Sequence, residues 1–522
     1  MIGSPQRRRF SPISLTAAMV AVLLTVAGAG FGQTTIQSDP IAGPGSSAHK
    51  HVVRTSTGDL YTLTIYQDAA GARELRLYRS TSGGASWTLE TSEVHDATSG
   101  AGSTDPTNAC AMAIDSQDRL HITWARYYYP SFFEQFYRQY ETANGTLSPI
   151  VDISAVTGAA VSTRTAAMAI AVDGTDTVWI VAHGTGSWVE RLIHSSLPFA
   201  SDLAFEDVGP ISPSASAQNS RIAVDSLGRV HCSFYRNTGS GNYEHRIYDP
   251  AVGWGSSEVL GNTTPTNDYY GMLSADELGN VHAAYVADSA TGSTWLFEYR
   301  VWSGATGWSA PIPFSTASAA DYTGVANYRI FALACDEASG TARLAYRDLA
   351  SGGALLLAEK DLADPTFTVI ETLEPPSLGQ HAYYLPTIRG QLYPTTNQTG
   401  SVLDLTWQLR PTPGTPPYDL RFQRLPIGGG LFRRGDANAD GVFDVSDTVY
   451  SLAALFIIGS DPPSCAESAD VNDDETFDVS DVVYALAALF IPGSLPPPPP
   501  GPQSCGSDAQ PTLGCLGASG CP

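Results

Sequence analysis

Apolar and polar residues alternate in short runs along most of this chain, and the runs come in pairs around a tight turn. In the stretch 221–237, Ile222 to Val224 and Val230 to Phe234 carry the alternation, and Asp225-Ser-Leu-Gly228 separates them. A period of two on both sides of a glycine turn predicts an antiparallel hairpin. The pattern recurs: Ala113 to Asp115 leads to His121 to Trp124, and Ala171 to Asp173 leads to Trp179 to Val181. Ser274 to Asp276 leads to His282 to Tyr285, and Ala334 to Asp336 leads to Ala342 to Tyr346. The five aspartates are spaced by 58, 52, 51 and 60 residues, and a degenerate copy at each end (Thr55 to Leu63, Asn397 to Trp407) extends the series.

Each hairpin is followed by a third alternating run, such as Tyr243 to Tyr248 or Trp295 to Tyr299. A Gly-Trp corner then leads to a fourth (Gly253-Trp254, Gly307-Trp308). Repeats of about fifty residues with four strands apiece predict a mainly β protein, a six- to seven-bladed β-propeller; the count of copies gives seven. The corner Ser80-Thr-Ser-Gly-Gly84-Ala-Ser-Trp87 resembles the Asp-box of sialidase-like propellers, with Ser82 where that motif has Asp. The resemblance implies a fold rather than an activity.

After the last copy the pattern changes. Asp436-Ala-Asn438-Ala-Asp440-Gly441-Val442-Phe-Asp444-Val-Ser-Asp447 runs into the apolar helical stretch Val449 to Phe456. The unit returns 34 residues later as Asp470-Val-Asn472-Asp-Asp474-Glu-Thr476-Phe-Asp478-Val-Ser-Asp481, followed by Val483 to Phe490. Calcium takes six to eight hard oxygens at about 2.3–2.6 Å, and side chains at loop positions 1, 3, 5 and 12 with a backbone oxygen at 7 supply them. Two Ca2+ ions are the expected cofactors.

The duplicated, EF-hand-like loop-then-helix pattern resembles the dockerin domain, the small all-α anchoring module of exported polysaccharide-degrading systems. The resemblance implies that Asp436, Asn438, Asp440, Asp444 and Asp447, and Asp470, Asn472, Asp474, Asp478 and Asp481, are side-chain ligands. Val442 and Thr476 hold the backbone-oxygen positions. It also implies a cohesin-like or cell-surface protein partner for residues 435–494, met at Val445-Ser446, Val479-Ser480 and the adjoining helix faces. Glu475 stands at position six of the second loop, where glycine permits the sharp turn, so the second site should be the weaker one.

Composition narrows the setting. Charged residues make up 15% of the chain, Gly and Pro are abundant (49 and 35), and the net charge is −24. Residues 1–32 have the form of a secretory signal: Arg7 to Arg9, an apolar Leu15–Val26 core and small residues after it. Its removal after Ala29 or Gly32 takes Lys+Arg from 28 to 25 against 52 acids, or −27, and leaves no membrane span. Such acidity argues against nucleic-acid binding. The expected organisation is a signal segment at 1–32, a lead-in at 33–48, the propeller at 49–427, a linker at 428–434, the calcium-binding module at 435–494 and a Pro/Cys-rich tail at 495–522. Secretion to the exterior or the cell surface follows. Cys110, Cys232 and Cys335 read as buried thiols, whereas Cys465, Cys505, Cys515 and Cys521 cluster in the tail and read as disulfides. Loop length favours Cys465 with Cys505 and Cys515 with Cys521.

No catalytic motif is present. If the Asp-x-x-Gly turns share one face of the ring, the loops leaving each second strand and those entering each first strand share the other. They carry Arg126, Tyr127, His183, Arg236, Tyr269, Arg347 and His381. Arginine forks suit carboxylates and tyrosine rings suit pyranoses, so these are the candidate contacts to a polysaccharide. Two functions remain open: a propeller that binds or scaffolds an extracellular carbohydrate, or a glycoside hydrolase (sialidase-like) or polysaccharide lyase acting on an acidic polysaccharide. The histidines six residues after each turn Asp (His121, His231, His282) recur at one strand position, which points to packing and hydrogen bonding within the blade.

Overall fold

The computed structural model describes residues 33–39, 52–67, 73–95, 106–128, 132–158, 169–184, 189–196, 204–214, 216–236, 242–262, 271–288, 294–318, 331–336, 339–348, 353–374, 391–394, 402–409, 418–426, 432–457, 460, 462–463, 465–474 and 476–506.

The hairpin turns form as their residues dictate. Asp225 Oδ1 accepts from the Leu227 and Arg229 amides at 3.0 and 2.9 Å, and the Gly228 amide donates to the Asp225 carbonyl at 2.9 Å. Asp115 holds Gln117 and Arg119 in the same way. The fourth turn residue has a left-handed backbone, which glycine meets at Gly228 (φ +77°) and Gly279 (+85°). At Asp118 (+63°) and Asp176 (+62°) aspartate takes the glycine's place. Both carboxylates reach the neighbouring blade: the Ser56 amide donates to Asp118 Oδ1 (2.7 Å), and the Ser116 amide and hydroxyl donate to Asp176 (2.8 and 2.7 Å).

Seven antiparallel sheets follow one another along the chain. The first blade is built from Val52–Arg54, Leu60–Gln67, Arg73–Ser80 and Thr88–Thr91. The fourth is built from Gln218–Val224, Val230–Arg236 and Asn242–Asp249, with Gly253–Trp254 and Glu258–Asn262 both pairing with the third strand. In the seventh blade, Gln391–Pro394, Val402–Leu409 and Tyr418–Pro426 are completed by Thr34–Asp39 from the start of the chain, in register from Thr34↔Phe422 to Asp39↔Tyr418. The ring is thus a seven-bladed propeller closed by its first strand. The stretch expected to be a lead-in supplies that strand, and Ser38 Oγ fastens it to Asp419 at 2.6 Å.

The Asp-box-like corner lies at the same junction. Ser82 Oγ accepts from the Ser86 amide (2.9 Å), and Trp87 packs edge-on against Phe422 with ring centroids 5.1 Å apart. Gly84 lies against that ring; a Cβ there would meet Phe422 at 1.8 Å.

Residues 432–506 form a separate α-helical unit. Helices Val445–Phe456 and Val479–Phe490 each start on a capping box, Asp444 with Asp447 and Asp478 with Asp481. The segment entering the first loop is clipped to the tail: Phe432 and Gly506 exchange backbone hydrogen bonds at 2.9 and 3.1 Å, and the Arg434 amide donates to the Pro500 carbonyl. Cys465 and Cys505 are both disulfide-bonded, whereas Cys515 and Cys521 lie outside the described residues. Cys110, Cys232 and Cys335 are buried thiols. Among the described residues no helix is long and apolar enough to cross a membrane. Residues 1–32 lie outside the described set.

Candidate functional site

The twin loops fold alike. Position four is left-handed in both, Ala439 at φ +64° and Asp473 at +63°, and the capping residues agree within a degree or two (φ −146°, ψ −167° and −166°). In the first loop Asp436 is fully buried. Its Oδ2 accepts from the Gly441 amide at 3.0 Å, and its Oδ1 is buried with no hydrogen-bond partner. Asn438 Oδ1 accepts from the Asp440 amide (2.9 Å), and Asp440 Oδ1 from the Val442 amide (2.9 Å). Asp447 closes the loop, accepting from the amides of Asn438 and Asp444 at 3.2 and 2.9 Å. Burial, with the charges of Asp436 and Asp440 beside it, pushes the Asp447 carboxyl up to about 6. Burial raises Asp436 as well, and Asp440 adds to the rise.

The second loop repeats this. Asp470 Oδ1 accepts from the Asp473 and Asp474 amides at 2.9 and 3.2 Å. Asp481 accepts from Val471 and Asp478 at 2.9 and 2.8 Å, and burial, with the Asp470 charge next to it, pushes Asp481 up to about 7. Asn472 mirrors Asn438, and the Thr476 amide mirrors that of Val442 in donating to Asp474 (3.1 Å). Glu475 lies outside the described residues.

Each loop therefore presses two buried acids together near an amide oxygen and a more exposed aspartate. Among the described residues, though, no three His, Cys, Asp or Glu side chains stand close enough to hold a metal ion as they are. Asp444 and Asp478 at position nine are exposed and serve as helix caps, accepting from Ser446 and Ser480 at 2.7 and 2.6 Å. Each helix also carries an exposed apolar stripe. Val445, Val449, Leu452, Phe456 and Ile457 match Val479, Val483, Leu486, Phe490 and Ile491 residue for residue, with Phe456 67% and Phe490 64% exposed.

On the propeller, His183, Arg236 and Arg347 stand at or next to the ends of the second strands of blades three, four and six, away from the Asp-led turns. Two of them are structural struts. Arg347 is buried, held down to about 10 by that burial, and donates to the Gly353 carbonyl at 3.3 Å. Arg236 is paired with the buried Glu244 at 2.8 Å. Arg126 and Tyr127 lie on the second strand of blade two, with side chains outside the described set, and Tyr269 and His381 are outside it altogether.

His183 marks the more unusual place. Burial pushes it down to about 4, and it lies across the sheet from Glu190. Glu190 is 2% exposed and accepts from the amides of Asn219 (3.1 Å) and Ser220 (2.9 Å) and from the Ser220 hydroxyl, all on the innermost strand of the next blade. Burial carries Glu190 up to about 7 against the lowering effect of those donors and of Arg221. Asn219 is left-handed (φ +55°) at a bulge in that strand. A carboxyl poised near neutrality beside a strained residue is an arrangement that acid–base chemistry uses. The sequence held one sign of it: Glu190 falls in phase with the buried Leu192, an acid at a core position of the alternation.

No protein-family profile matches this sequence, and no curated protein matches it. Solved structures do. An α-L-arabinanase of Penicillium chrysogenum, in complex with arabinobiose, is 13% identical over 75% of this chain and 97% of its own, with a TM-score of 0.43. An ulvan lyase of polysaccharide lyase family PL25, bound to -[GlcA(1-4)Rha3S]-, is 11% identical over 76% and 96%, with a TM-score of 0.45. A Hadza microbial sialidase is 9% identical over 72% and 64%, with a TM-score of 0.40.

Proposed function

We propose that this is an exported protein whose C-terminal module binds two calcium ions and docks the chain to a cohesin-like or cell-surface partner, while the propeller engages an extracellular carbohydrate. The observation that carries the calcium reading is Asp436 Oδ1, a buried carboxylate oxygen without a partner, in a loop where the charges of Asp436 and Asp440 both act on Asp447. Crowded acids raise one another's pKa, and a dication relieves the repulsion. Asp436, Asn438, Asp440, the Val442 carbonyl and Asp447 would hold the first ion, and their counterparts from Asp470 to Asp481 the second. The matched apolar stripes support a docking face that repeats across the two helices.

Calcium titration of the full chain after chelation is the test. Uptake of two ions is expected, with Asp436→Ala loosening the module more than Asp470→Ala. A chain that takes up none at millimolar calcium overturns the reading.

A second reading is hydrolysis or elimination on an acidic polysaccharide, for which Glu190, pushed up to about 7 by burial between blades three and four, is the propeller carboxyl to substitute first. Reducing-sugar and unsaturated-product assays on acidic and neutral polysaccharides decide it. Absence of turnover leaves a binding propeller.

A further inference from the structure

Two adjacent arginines enter the calcium-binding module and part company. Arg433 Nη1 donates to the Gly441 carbonyl in the first loop. Arg434, fully buried, turns to the second: its Nη1 donates to the carbonyls of Asp470 (2.6 Å) and Glu467 (3.4 Å), and its Nη2 pairs with Asp473 Oδ1 at 2.6 Å. The guanidinium lies 5.3 Å from the Phe432 ring centroid, and Phe432 is itself clipped to Gly506. The neighbouring Gly435 amide donates to the Ser468 carbonyl at 2.7 Å, tying the approaches of the two loops together.

We infer that Arg434 is a positioning residue for the second ion, so that the second calcium site is assembled by the segment that leads into the first. The inference rests on the calcium reading above. Arg434 grips the second loop at both ends of its first turn, the carbonyl of position one and the side chain of position four. The Asp473 amide in turn holds Asp470 Oδ1 at 2.9 Å. Asp473 sits in the left-handed region at φ +63°, a conformation that an L residue adopts at a cost, and its ion pair with Arg434 opposes relaxation of the loop. The first loop has Ala439 at this position, which forms no such pair, and glycine at position six. The second has Glu475 at position six, where glycine would permit the sharp turn, so support from outside is expected to matter more there.

Charge and geometry make opposite predictions, which is what makes the idea testable. A guanidinium beside a dication repels it, so if Arg434 acted by charge alone, removing it would tighten the second ion. If Arg434 acts by positioning, removing it weakens that ion.

Calorimetric calcium titrations of the full chain read the two loops separately, in an Asp436→Asn background for the second and an Asp481→Asn background for the first. Arg434→Gln is expected to weaken the second loop by about tenfold or more, the size of effect seen when residues that orient metal ligands are lost. The first loop should change by less than about twofold. Unchanged or tighter binding at the second loop overturns the inference.

If Arg434→Gln weakens both loops together, Arg434→Lys decides. It keeps the charge and loses the fork. A loss confined to the second loop supports positioning, and equal loss or none refutes it. An unsubstituted chain that takes up no calcium fails before any variant is made, which separates failure of the underlying reading from failure of this one.

Discussion

His245 lies between His231 and Trp308, and the indole sets the direction of every proton in the row. The Trp308 Nε1–H can only donate, so His245 Nδ1 accepts it at 3.2 Å. His245 Nε2 then donates to His231 Nδ1 (3.0 Å), and His231 Nε2 to Asp225 Oδ2 (3.2 Å). Both rings are neutral, and burial holds both below the usual histidine range, His245 well below it. As pH falls below about 6.5 the unfolded chain takes up protons that these rings refuse, so stability drops with acidification. Blades two and five put tyrosine at the equivalent place, with Tyr137 on His121 (2.6 Å) and Tyr299 on His282 (2.5 Å). His245→Tyr is therefore expected to flatten the fall in melting temperature between about pH 6.5 and 4, measured by scanning calorimetry. A second, more acidic loss should remain. The His231 bond and the Arg229 donors, against the cost of burial, hold Asp225 at about 2, so its contribution disappears as pH falls through that value. The spacing of these histidines was enough to mark them as packing residues. Glu190 showed only as an acid in a core phase, and its link to Asn219 was hidden because the two lie on different blades.

The hairpins were legible because a turn is made by its own neighbours. In the turns led by Asp115, Asp173, Asp225 and Asp276 the aspartate, its amide donors and the left-handed fourth residue lie within five positions; the Asp336 turn is one residue longer, with Gly340 left-handed. The twin loop-then-helix units were legible for the same reason, although the capping boxes start each helix four residues before the expected apolar run, at Val445 and Val479. Lacing between blades was not, since nothing near Asp118 or Asp176 announces Ser56 or Ser116. That lacing explains why two turns tolerate a side chain where glycine would be easier. Asp176→Ala keeps the left-handed strain and loses two charge-assisted hydrogen bonds, an expected cost of about 2 kcal/mol in denaturant melts. Asp176→Gly relieves the strain by about 1 kcal/mol and should cost correspondingly less. If Asp176→Ala costs nothing, the lacing contributes nothing; if the two variants cost the same, the left-handed strain contributes nothing.

For the molecule as a whole, seven repeats told how many blades to expect but not how the ring shuts. The six residues of Thr34–Asp39 are too few and too polar to show an alternating face, and their mates stand at Tyr418 to Phe422. Deleting 33–39 uncovers the hydrogen-bonding edge of Tyr418–Pro426 and strips Ile36 from the buried cluster it forms with Val52, Leu420 and Phe422. An exposed strand edge recruits other chains. The expected outcome is a lower melting temperature with concentration-dependent aggregation, read by light scattering. A monomer of unchanged stability would show that the closing strand is dispensable.

That closure has a temporal side. A ribosome releases Thr34 long before Phe422, and the pairing of the two spans 422 − 34 = 388 positions. The earliest strand to be made must therefore wait, unpaired, while six blades assemble behind it. Contacts between such distant residues are slow to form, so completion of the ring should be the late and rate-limiting event in the birth of this protein.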